Sequence, residues 1–560
     1  MPSAILLIVQ FLLADLLAQL LYSCYFHPLA RYPGPFLARF TNLWRFASFL
    51  RGQHHLTEEN LHQRYGPIVR VAPNWLSFAP LPAFEAIYGF HQAIEKDDFY
   101  TFGAPRPQTD VSVFATQSNP VHRQKRRRML APALTRAKVL RYEPVIARHV
   151  AVLVARLEAV FLEQEAQEVQ RAQGAQEAEA AHADSGQLGV EVELNVAPLV
   201  HRFTLDVMLD ILFGPAVGPH PYTDNEVAGD LGASIRYVSR MVWSYSLWPA
   251  FGWLMNTRLA VACLRRPRYN AAGAMVGLNG LMHRAAAAIL GTPEVFVRED
   301  PLQQPGIVES WLRVGMGMGS AADGVADNHP QKMTPAEAVS EAFNLVFAGP
   351  GSMAAALTAV LYQLGLPEGQ VWQEKLRAGA GSEALEGSTS TEGSSPSPSP
   401  LPSLELQAVI KETLRFRAPF PTAFPRVIRS GAEMAIPGLS HPLPAGTTVS
   451  ASTYVLGRSR EIWGEDADQW VPQRWLSGSD DDDEESRRQM DRRFVAFSRG
   501  PRGCSGRDLA SLILAKALRA IVQRWRFSAS AAAELRGASF LEMQYDLCQL
   551  RFVQQASSSD

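Results

Sequence analysis

The sequence has little cysteine, and what it has is scattered. Four cysteines, Cys24, Cys263, Cys504 and Cys548, are spread over 560 residues, and no two of them stand at the short spacing of paired zinc ligands. This distribution argues against a zinc module and against a disulfide framework, and it suits a reducing compartment. A role has to be sought for single thiols rather than for a cluster.

An excess of either charge is also missing. The chain has 53 Lys and Arg against 55 Asp and Glu, a net charge of −2, so the composition indicates no nucleic-acid partner. The motifs HExxH, GxSxG and the Walker P-loop are absent, which argues against zinc proteases, α/β-hydrolases and P-loop nucleotide enzymes. Apolar side chains are abundant, at 47% of the residues, and can form a large buried core.

One long apolar run stands near the N-terminus. Residues 4–26 are about 23 mostly apolar positions, which at 1.5 Å per residue just span a bilayer, although Asp15 lies among them. Because His27 and Arg31 follow, we predict a single-pass, uncleaved anchor over residues 1–26, with the rest of the chain on the cytoplasmic side. Residues 27–35, HPLARYPGP, predict a stiff hinge. An interfacial helix and a cleaved signal peptide are the alternatives.

Three segments have a low-complexity composition. Residues near 163–190 are rich in Gln, Glu and Ala, those near 315–332 in Gly, Ala and Asp, and those near 378–403 in Ser, Pro, Gly and Thr. Such segments cannot bury enough apolar area to fold by themselves. We therefore expect them to be insertions into one larger domain, the first of them as a helix that extends into solvent.

The most informative ten residues are FSRGPRGCSG, from Phe497 to Gly506. The residues from Leu509 to Trp525 have the apolar stripe of a helix, so Cys504 should lie near a helix N-terminus, whose partial positive charge lowers the pKa of a thiol. The glycines of the loop allow a close backbone approach. A buried structural cysteine is the alternative interpretation.

A long central helix is predicted from Thr334 to Gly365. A threonine, a proline and a glutamate among its first residues form a helix start, and a periodic apolar run follows. Pro350 stands between two glycines in the middle and removes one helical hydrogen bond, so we expect the helix to open there. A kinked packing helix is the alternative.

Two further patterns involve charged side chains. Glu412 and Arg415 lie three residues apart in LELQAVIKETLRFR, on one face of a predicted helix where they can pair. Residues 122–128, HRQKRRR, form a strongly basic stretch. Each pattern is alternatively a solvated surface.

Together these patterns resemble the cytochrome P-450 haem-thiolate enzymes, most strongly through the cysteine loop. The resemblance implies that Cys504 is the axial ligand of the iron of haem b and that its thiolate favours cleavage of the O–O bond of dioxygen. It also implies that Phe497 shields the proximal side of the haem, that Gly500 and Gly506 admit the sulfur and the porphyrin, and that Arg502 pairs with a haem propionate.

Residues upstream have counterparts in the same order. Glu412, Arg415 and, in the PQRW motif, Arg474 resemble a buried structural triad that would brace the cysteine loop. Arg426, in AFPRVI, stands where the family has a propionate-binding arginine at the start of a strand. These likenesses extend the resemblance well beyond the loop.

The basic stretch resembles the family's helix over a haem propionate. His122 with Arg126 fits the family spacing, whereas counting back from Pro132 points to Arg127. Both registers stay open at the level of the sequence.

The central helix resembles the family's distal helix. The family motif is Ala, Gly, any residue, Asp or Glu, and then Thr, and the last two residues deliver protons to bound dioxygen. Ala348 and Gly349 match it, whereas Gly351 stands at the acid position and Ser352 at the threonine position. The resemblance therefore implies that Ser352 contributes the hydroxyl, while protons come through water, substrate groups or a residue such as Asn344.

Family position also implies which residues form the substrate pocket. These are residues 102–114, residues 241–253, Phe343, Phe347 and residues 420–424. Many are aromatic or aliphatic, which predicts a lipophilic substrate.

The resemblance implies a mainly α fold with small β-sheets (α+β), an N-terminal membrane anchor and one catalytic domain over residues 36–560. It implies a monooxygenase that inserts one oxygen atom into a lipophilic small molecule, like the microsomal enzymes of fungal secondary metabolism. Electrons would come from NADPH through a separate FAD- and FMN-containing reductase docked on Arg492, Arg493, Arg499 and Arg507. The enzyme would lie on the endoplasmic reticulum membrane and face the cytosol. A P-450-fold isomerase, dehydratase or peroxide-using enzyme and a non-catalytic haem-binding protein are the alternatives.

Overall fold

The computed structural model describes residues 2–90, 93–101, 112–176, 191–214, 239–240, 243–244, 246–247, 306–308, 310–311, 334–386, 403–476, 484–529 and 534–554. Helices dominate these residues. In chain order they are α1 (Pro2–Leu21), α2 (Leu43–Leu50), α3 (His54–Tyr65), α4 (Leu81–Tyr88), α5 (Asn119–Ala133), α6 (Arg136–Arg141), α7 (Glu143–Gln176), α8 (Val196–Phe213), α9 (Pro335–Gly365), α10 (Pro367–Glu386), α11 (Leu404–Phe416), α12 (Thr453–Gly457), α13 (Arg460–Trp463), α14 (Glu484–Arg493) and α15 (Arg507–Arg524).

The strands form three small sheets. They are β1 (Ile68–Ala72), β2 (Trp75–Phe78), β3 (Ile94–Lys96), β4 (Glu191–Asn195), β5 (Arg426–Ile428), β6 (Thr448–Ser450), β7 (Trp525–Ala529), β8 (Arg536–Ser539), β9 (Met543–Leu547) and β10 (Gln549–Gln554). One sheet has the order β1-β2-β6-β5-β3, another the order β4-β10-β7, and β8 pairs with β9 in a hairpin. The predicted fold class, mainly α with small sheets, is confirmed for these residues.

Helix α9 is the centre of the fold. Thr334 and Glu337 form a capping box at its start, which satisfies two free backbone N–H groups. Its apolar side chains join those of α7, α8, α11 and α15 in the largest core cluster. The helix therefore gives one long wall against which the other elements are placed.

The predicted opening of α9 at Pro350 was wrong, because the helix is continuous from Pro335 to Gly365. Side chains satisfy carbonyls of the turn around the proline. The hydroxyl of Thr204, on α8, donates to the carbonyl of Pro350 at 3.0 Å, and that of Ser352 donates to the carbonyl of Ala348 at 2.8 Å. Packing against α8 and these bonds hold the turn in helical geometry.

The N-terminal helix α1 continues into a short π-helix, Tyr22–Phe26. Large apolar side chains of this segment are exposed, with Leu7 65% and Phe11 73% accessible. Within the part of the chain that the structure describes, the helix long and apolar enough to cross a membrane is Ala336–Gly365, which is 67% buried inside the fold. That helix is the core of the domain, and the anchor over residues 1–26 stays a prediction.

The low-complexity segments lie partly outside the described residues. Of the first segment, residues up to Gln176 continue α7, which agrees with the expected extended helix. Of the third, residues up to Glu386 belong to α10, and Ser403 caps α11. The rest of both segments and all of residues 315–332 lie outside the described part of the chain.

Candidate active site

A cavity of about 280 Å³ lies between α9 and the loop that contains Cys504. Its walls come from α5, α9, α15 and the segments 419–426 and 496–506. The apolar side chains in them include Leu130, Leu345, Met353, Phe420 and Leu514. Polar groups gather at the cysteine loop, along one cationic edge and on α9, so the cavity is apolar with a few convergent polar groups, as ligand sites are.

Cys504 lies in the wall of this cavity, just before α15, and its thiol is exposed there. Its backbone N–H donates to the carbonyl of Phe497 at 2.9 Å and closes the loop. The surrounding protein separates the sulfur from bulk water and raises the pKa of the thiol, although the Gly506 N–H and the guanidinium groups of Arg126 and Arg507 act to lower it. The start of α15 thus acts in the predicted direction through the Gly506 N–H, but burial has the larger effect on the pKa. Coordination to a metal ion is the interaction that would deprotonate this thiol.

The two glycines of the loop serve different purposes. Gly500 has a φ of +65°, and a Cβ there would overlap the carbonyl oxygen of Tyr88, at the end of α4. It is needed for packing against protein rather than, as predicted, for approach to a porphyrin. A Cβ at Gly506 would meet no protein atom within 4 Å, and Gly506 lines the cavity. Only Gly506 fits the predicted role of leaving room for a ligand.

Five basic residues line the cationic edge of the cavity: Lys96, His122, Arg126, Arg426 and Arg502. Glu341 is the acid among the described residues of the wall. Burial and the neighbouring cations lower the pKa of His122 to about 3, and burial and Arg426 lower the pKa of Arg502 to about 10. Lys96 and Arg426 also lie directly opposite each other across β3 and β5, and like charges so placed are destabilising. The edge therefore favours an anionic ligand.

Two arginines of this edge, Arg426 and Arg502, form their hydrogen bonds with neutral acceptors. Arg502 donates to the carbonyl of Thr116 at 2.8 Å and to Oδ1 of Asn119 at 3.0 Å. Arg426, the first residue of β5 and 5% exposed, donates to the hydroxyl of Tyr100 at 2.8 Å. In the described part of the chain no carboxylate forms an ion pair with either guanidinium, so both can bind an anionic group of a ligand.

The structure decides the register of the basic helix. In α5, His122 is buried and Arg126 lines the cavity, where it donates to the carbonyl of Pro501. Arg127 is exposed. Of the two registers left open by the sequence, the one with His122 and Arg126 faces the cavity.

Glu412, Arg415 and Arg474 form the predicted cluster. Arg415 binds both carboxylate oxygens of Glu412, at 2.8 and 2.9 Å, and Arg474 binds one of them at 3.1 Å. The Glu412 and Arg415 side chains are 0% and 1% exposed. Trp475 Nε1 donates to Glu412 at 2.9 Å, so the buried charge has a full set of donors, as a buried carboxylate requires.

A chain of aromatic rings connects this cluster to the cysteine loop. The Trp475 ring packs on Phe494 with centroids 5.4 Å apart, and Phe494 packs on Phe497 at 6.0 Å. Phe497 lines the cavity and accepts the backbone bond of Cys504. Because Trp475 is also bonded to Glu412, the cluster and the loop form one connected structure.

On the opposite wall, α9 presents Ala348, Gly349 and Ser352 to the cavity. The Ser352 hydroxyl lies 2.8 Å from the carbonyl of Ala348 and 3.0 Å from that of Gly349. It can donate to either carbonyl and still accept a hydrogen bond from the cavity side. The residues that the family motif places here are thus brought together, apart from the missing acid.

The predicted pocket residues are confirmed only in part. Phe114, Phe420 and Phe424 line the cavity. Phe343 and Phe347 do not, because their rings stack on each other at 6.1 Å and pack against the core. Residues 102–111 and most of 241–253 lie outside the described part of the chain.

Sequence reasoning missed Lys96, Tyr100 and Glu341. Glu341, on α9, accepts a hydrogen bond from the Val113 N–H at 2.6 Å, and burial raises the pKa of its carboxyl. A lysine and a glutamate inside otherwise apolar segments are a weak signal, since such residues are usually exposed. Only the paired strands and the approach of 112–114 to α9 show that these side chains share a cavity.

The residues present fit a haem group. The site supplies one accessible thiol, an apolar space beside Gly506 and an edge of cations without carboxylate partners for Arg426 and Arg502. A haem has an iron that accepts a thiolate, an apolar ring and two anionic propionates. Each chemical part of the cofactor therefore has a counterpart among the side chains.

Comparisons with known proteins agree with this assignment. The family model for Cytochrome P-450 matches residues 319–536. A cytochrome P-450 monooxygenase of Aspergillus terreus is 27% identical over 89% of this chain and 90% of its own length. The cytochrome P-450 monooxygenase gsfF of Penicillium aethiopicum is 25% identical over 92% and 91%, and ABA2 of Pyricularia oryzae is 27% identical over 87% and 82%.

The fold is also that of a solved structure. A crystal structure of a cytochrome P-450 (CYP102L1) superposes with a TM-score of 0.61 at 17% identity, covering 90% of this chain and 94% of the other. The region that the family model matches, residues 319–536, contains α9, the Glu412 cluster and the Cys504 loop. Residues 319–536 therefore match the cytochrome P-450 family, and the chain as a whole is similar to cytochrome P-450 monooxygenases of filamentous fungi.

Proposed function

We propose that the protein binds haem b through Cys504 and oxidises a lipophilic small molecule of fungal secondary metabolism. The observation that carries this proposal is the placement of an accessible thiol and a cationic edge in the wall of one apolar cavity. Haem, when bound, supplies the activation of dioxygen. The side chains bind it, orient it and exclude water.

Each group of residues has a separate task in this proposal. Cys504 binds the iron, and Arg426, Arg502, His122 and Arg126 bind the propionates, whose negative charge offsets the repulsion among the cations. Lys96 lies on the same edge, where burial and then the charges of Arg426 and Arg502 lower the pKa of its amino group. The Glu412 cluster holds the loop in place through the rings of Trp475, Phe494 and Phe497.

Ser352 holds a proton at the distal wall. Its hydroxyl donates to a backbone carbonyl of α9 at rest, and rotation about the side chain redirects the same proton toward the cavity. Ala348 and Gly349 leave space beside it. The apolar side chains around them favour a lipophilic substrate and keep bulk water out.

Electrons reach the site from NADPH through a separate FAD- and FMN-containing reductase. Arg492 and Arg507 are exposed near the cysteine loop, and an acidic flavoprotein surface would be attracted to them. Arg493 is less accessible, and Arg499 is paired with Glu85 at 2.6 Å. We expect the first two to contribute most to docking.

Helix α1 anchors the enzyme in the endoplasmic reticulum membrane, with the catalytic domain in the cytosol. The exposed apolar side chains of α1 support this, and Asp15 bonds to Gln19 at 2.7 Å, which reduces the cost of its polar atoms in lipid. Removal of residues 1–26 should release the protein from sedimented membranes. Retention of the truncated protein on membranes would contradict the anchor.

The visible spectrum of the reduced protein with bound carbon monoxide tests haem ligation. The wild-type protein should give the long-wavelength Soret band of a thiolate-ligated haem, and Cys504→Ser should lose it. Cys548→Ser is the matched control, because Cys548 is fully buried and away from the cavity wall. An unchanged spectrum in Cys504→Ser would overturn the proposal. Turnover without reductase would favour the peroxide-using or isomerase alternatives.

A further inference from the structure

A carboxylate lies at the point where the motif on α9 lacks one. A Cβ added to Gly351 would be 2.6 Å from Oε1 and 2.7 Å from Oε2 of Glu542. Glu542 belongs to the turn between β8 and β9, and it is 3% exposed. Its carboxyl group thus occupies the space that an acidic side chain at position 351 would fill, one residue before Ser352.

The backbone of the turn holds Glu542 in this place. Leu541 has a φ of +101°, a strained conformation for a residue with a branched side chain. Thr422 donates to the carbonyl of Leu541 at 3.0 Å, and the Met543 N–H donates to the carbonyl of Pro419 at 2.7 Å. Pro419 also lines the cavity. The turn is therefore fixed to the segment that forms the cavity wall.

The carboxyl group of Glu542 is in a state suited to proton exchange. Gln544 Nε2 donates to Oε1 at 3.0 Å. Burial raises the pKa of Glu542 to about 7, and the bond from Gln544 acts in the opposite direction. Among the described residues no charged side chain contributes to the raised pKa, and Arg240 packs on the ring of the neighbouring Phe540, 5.9 Å away. Near neutral pH such a group is present in both protonation states.

We propose that Glu542 supplies, from the C-terminal hairpin, the carboxyl group that α9 lacks at Gly351, and that it passes protons to the cavity through Ser352. The proposal rests on the monooxygenase function proposed above. The O–H bond of the carboxyl group breaks, its proton passes through a water molecule to the Ser352 hydroxyl, and Ser352 releases its own proton into the cavity, where haem, when bound, would supply the reduction of dioxygen to which that proton is added. The carboxylate regains a proton from solvent, while the electrons come from the reductase.

A simpler role for Glu542 is to fill the space that a glycine leaves. The two roles differ in what a neutral side chain of the same shape does. Glu542→Gln keeps the volume of the side chain and can still form the hydrogen bond to Gln544. The amide cannot deliver a proton, however. The control is Asp546→Asn in the same hairpin, where Asp546 forms a half-exposed pair with Arg536 at 3.4 Å.

The first experiment uses the haem-loaded full chain with a fungal reductase and NADPH. It measures NADPH consumption, hydrogen peroxide release and the solvent deuterium isotope effect. In Glu542→Gln we expect water formation from dioxygen to fall by about 10²-fold, the scale of a lost acid group, and most of the dioxygen to leave as peroxide. Asp546→Asn should match the wild type. An unchanged peroxide fraction and isotope effect in Glu542→Gln would overturn the proposal.

A swap of positions separates proton delivery from packing. Gly351→Asp combined with Glu542→Ala returns a carboxyl group to the same space from the other chain segment, and it should lower the peroxide fraction relative to Glu542→Ala alone. Gly351→Ala combined with Glu542→Ala fills part of the space without an acid, and it should not. Equal recovery in both double variants would show that Glu542 only fills space.

A third readout does not depend on turnover. Because the folded-state pKa of Glu542 is raised, the folded protein binds more protons than the unfolded chain between about pH 4.5 and about pH 7, and its stability falls as the pH rises through that window. Urea unfolding of wild type and Glu542→Gln should therefore diverge progressively with pH. Parallel curves would contradict a titrating Glu542. A normal carbon monoxide spectrum in every variant shows that haem ligation is intact, so failure of this proposal is distinguishable from failure of the proposed function.

Discussion

The two walls of the cavity are built in different ways. The cysteine side is a continuous ten-residue loop bonded to itself and braced by the buried Glu412 cluster. The α9 side has a hydroxyl at Ser352 and only hydrogen at Gly351, and the carboxyl group beside Gly351 comes from Glu542 in the β8–β9 turn. The cysteine side is built from residues close together in sequence, whereas the groups on the α9 side come from distant segments of the chain.

This difference has a physical cause. A thiolate bound to iron must be held at one point, so the residues around it are tied by bonds that a single loop can make. A proton can travel through water and hydroxyl groups, so its donor has to be near but does not have to be a neighbour in sequence. The exchange of a donor between chain segments that we propose for Glu542 is therefore compatible with the α9 side, whereas the cysteine side has no such freedom.

The largest effect should follow from breaking the brace on the cysteine side. Glu412→Ala leaves Arg415 and Arg474 buried without their carboxylate, which should lower the free energy of unfolding by about 3–5 kcal/mol. Urea unfolding of the purified protein measures the loss. Haem retention should fall with it, because the ring of Trp475 loses its anchor.

Lys411→Ala is the matched control for that change. Lys411 is the preceding residue on α11 and pairs with Asp491 at 2.9 Å, but both side chains are partly exposed, at 28% and 59%. Such a pair contributes about 0–1 kcal/mol. Similar losses in the two variants would mean that the Glu412 cluster is not the brace described here.

The next effect separates the two glycines of the loop. Gly500→Ala must adopt a positive φ and overlap Tyr88, so we expect a loss of about 1–3 kcal/mol in the free energy of unfolding of the haem-free protein. Gly506→Ala meets no protein atom within 4 Å, and it should leave the haem-free protein unchanged while haem titration shows weaker binding. A reversed pattern would contradict the placement of haem beside Gly506.

The same contrast explains what the sequence could predict. The roles of the loop residues at haem stay predictions, whereas the Glu412 cluster, the position of Arg426 at the start of a strand and the start of α9 were predicted correctly, because each is defined by neighbours in sequence or by one helical spacing. Continuity of α9 through Pro350 was not, since it depends on Thr204 from another helix. Lys96, Glu341 and Glu542 were missed because single buried charged residues become informative only when the fold brings them to a common cavity.

On the α9 side, removal of the hydroxyl should have a smaller effect than loss of the brace. Ser352→Ala removes the group through which the protons pass, and we expect the ratio of peroxide to water formed during NADPH turnover to rise about 10²-fold, as in Glu542→Gln and equivalent to about 2.7 kcal/mol. Ser352→Thr keeps a hydroxyl and should stay close to the wild type. If Ser352→Ala retained the wild-type ratio, proton delivery would have to bypass this residue.

The smallest effect concerns the cationic edge, where both walls meet. The pKa of His122 is lowered to about 3 from 6.5, so the unfolded chain binds more protons than the folded chain between these values, and the haem-free protein loses stability as the pH falls through that window. In His122→Gln this loss should shrink by about 1 kcal/mol or less at pH 5, because water in the cavity screens the group. His441→Gln, at an exposed position, should leave the pH dependence of stability unchanged.

Added haem should weaken the pH dependence of stability in the wild type, since propionates beside His122 raise its pKa. The same dependence with and without haem, measured by urea unfolding at several pH values, would place the propionates away from this edge.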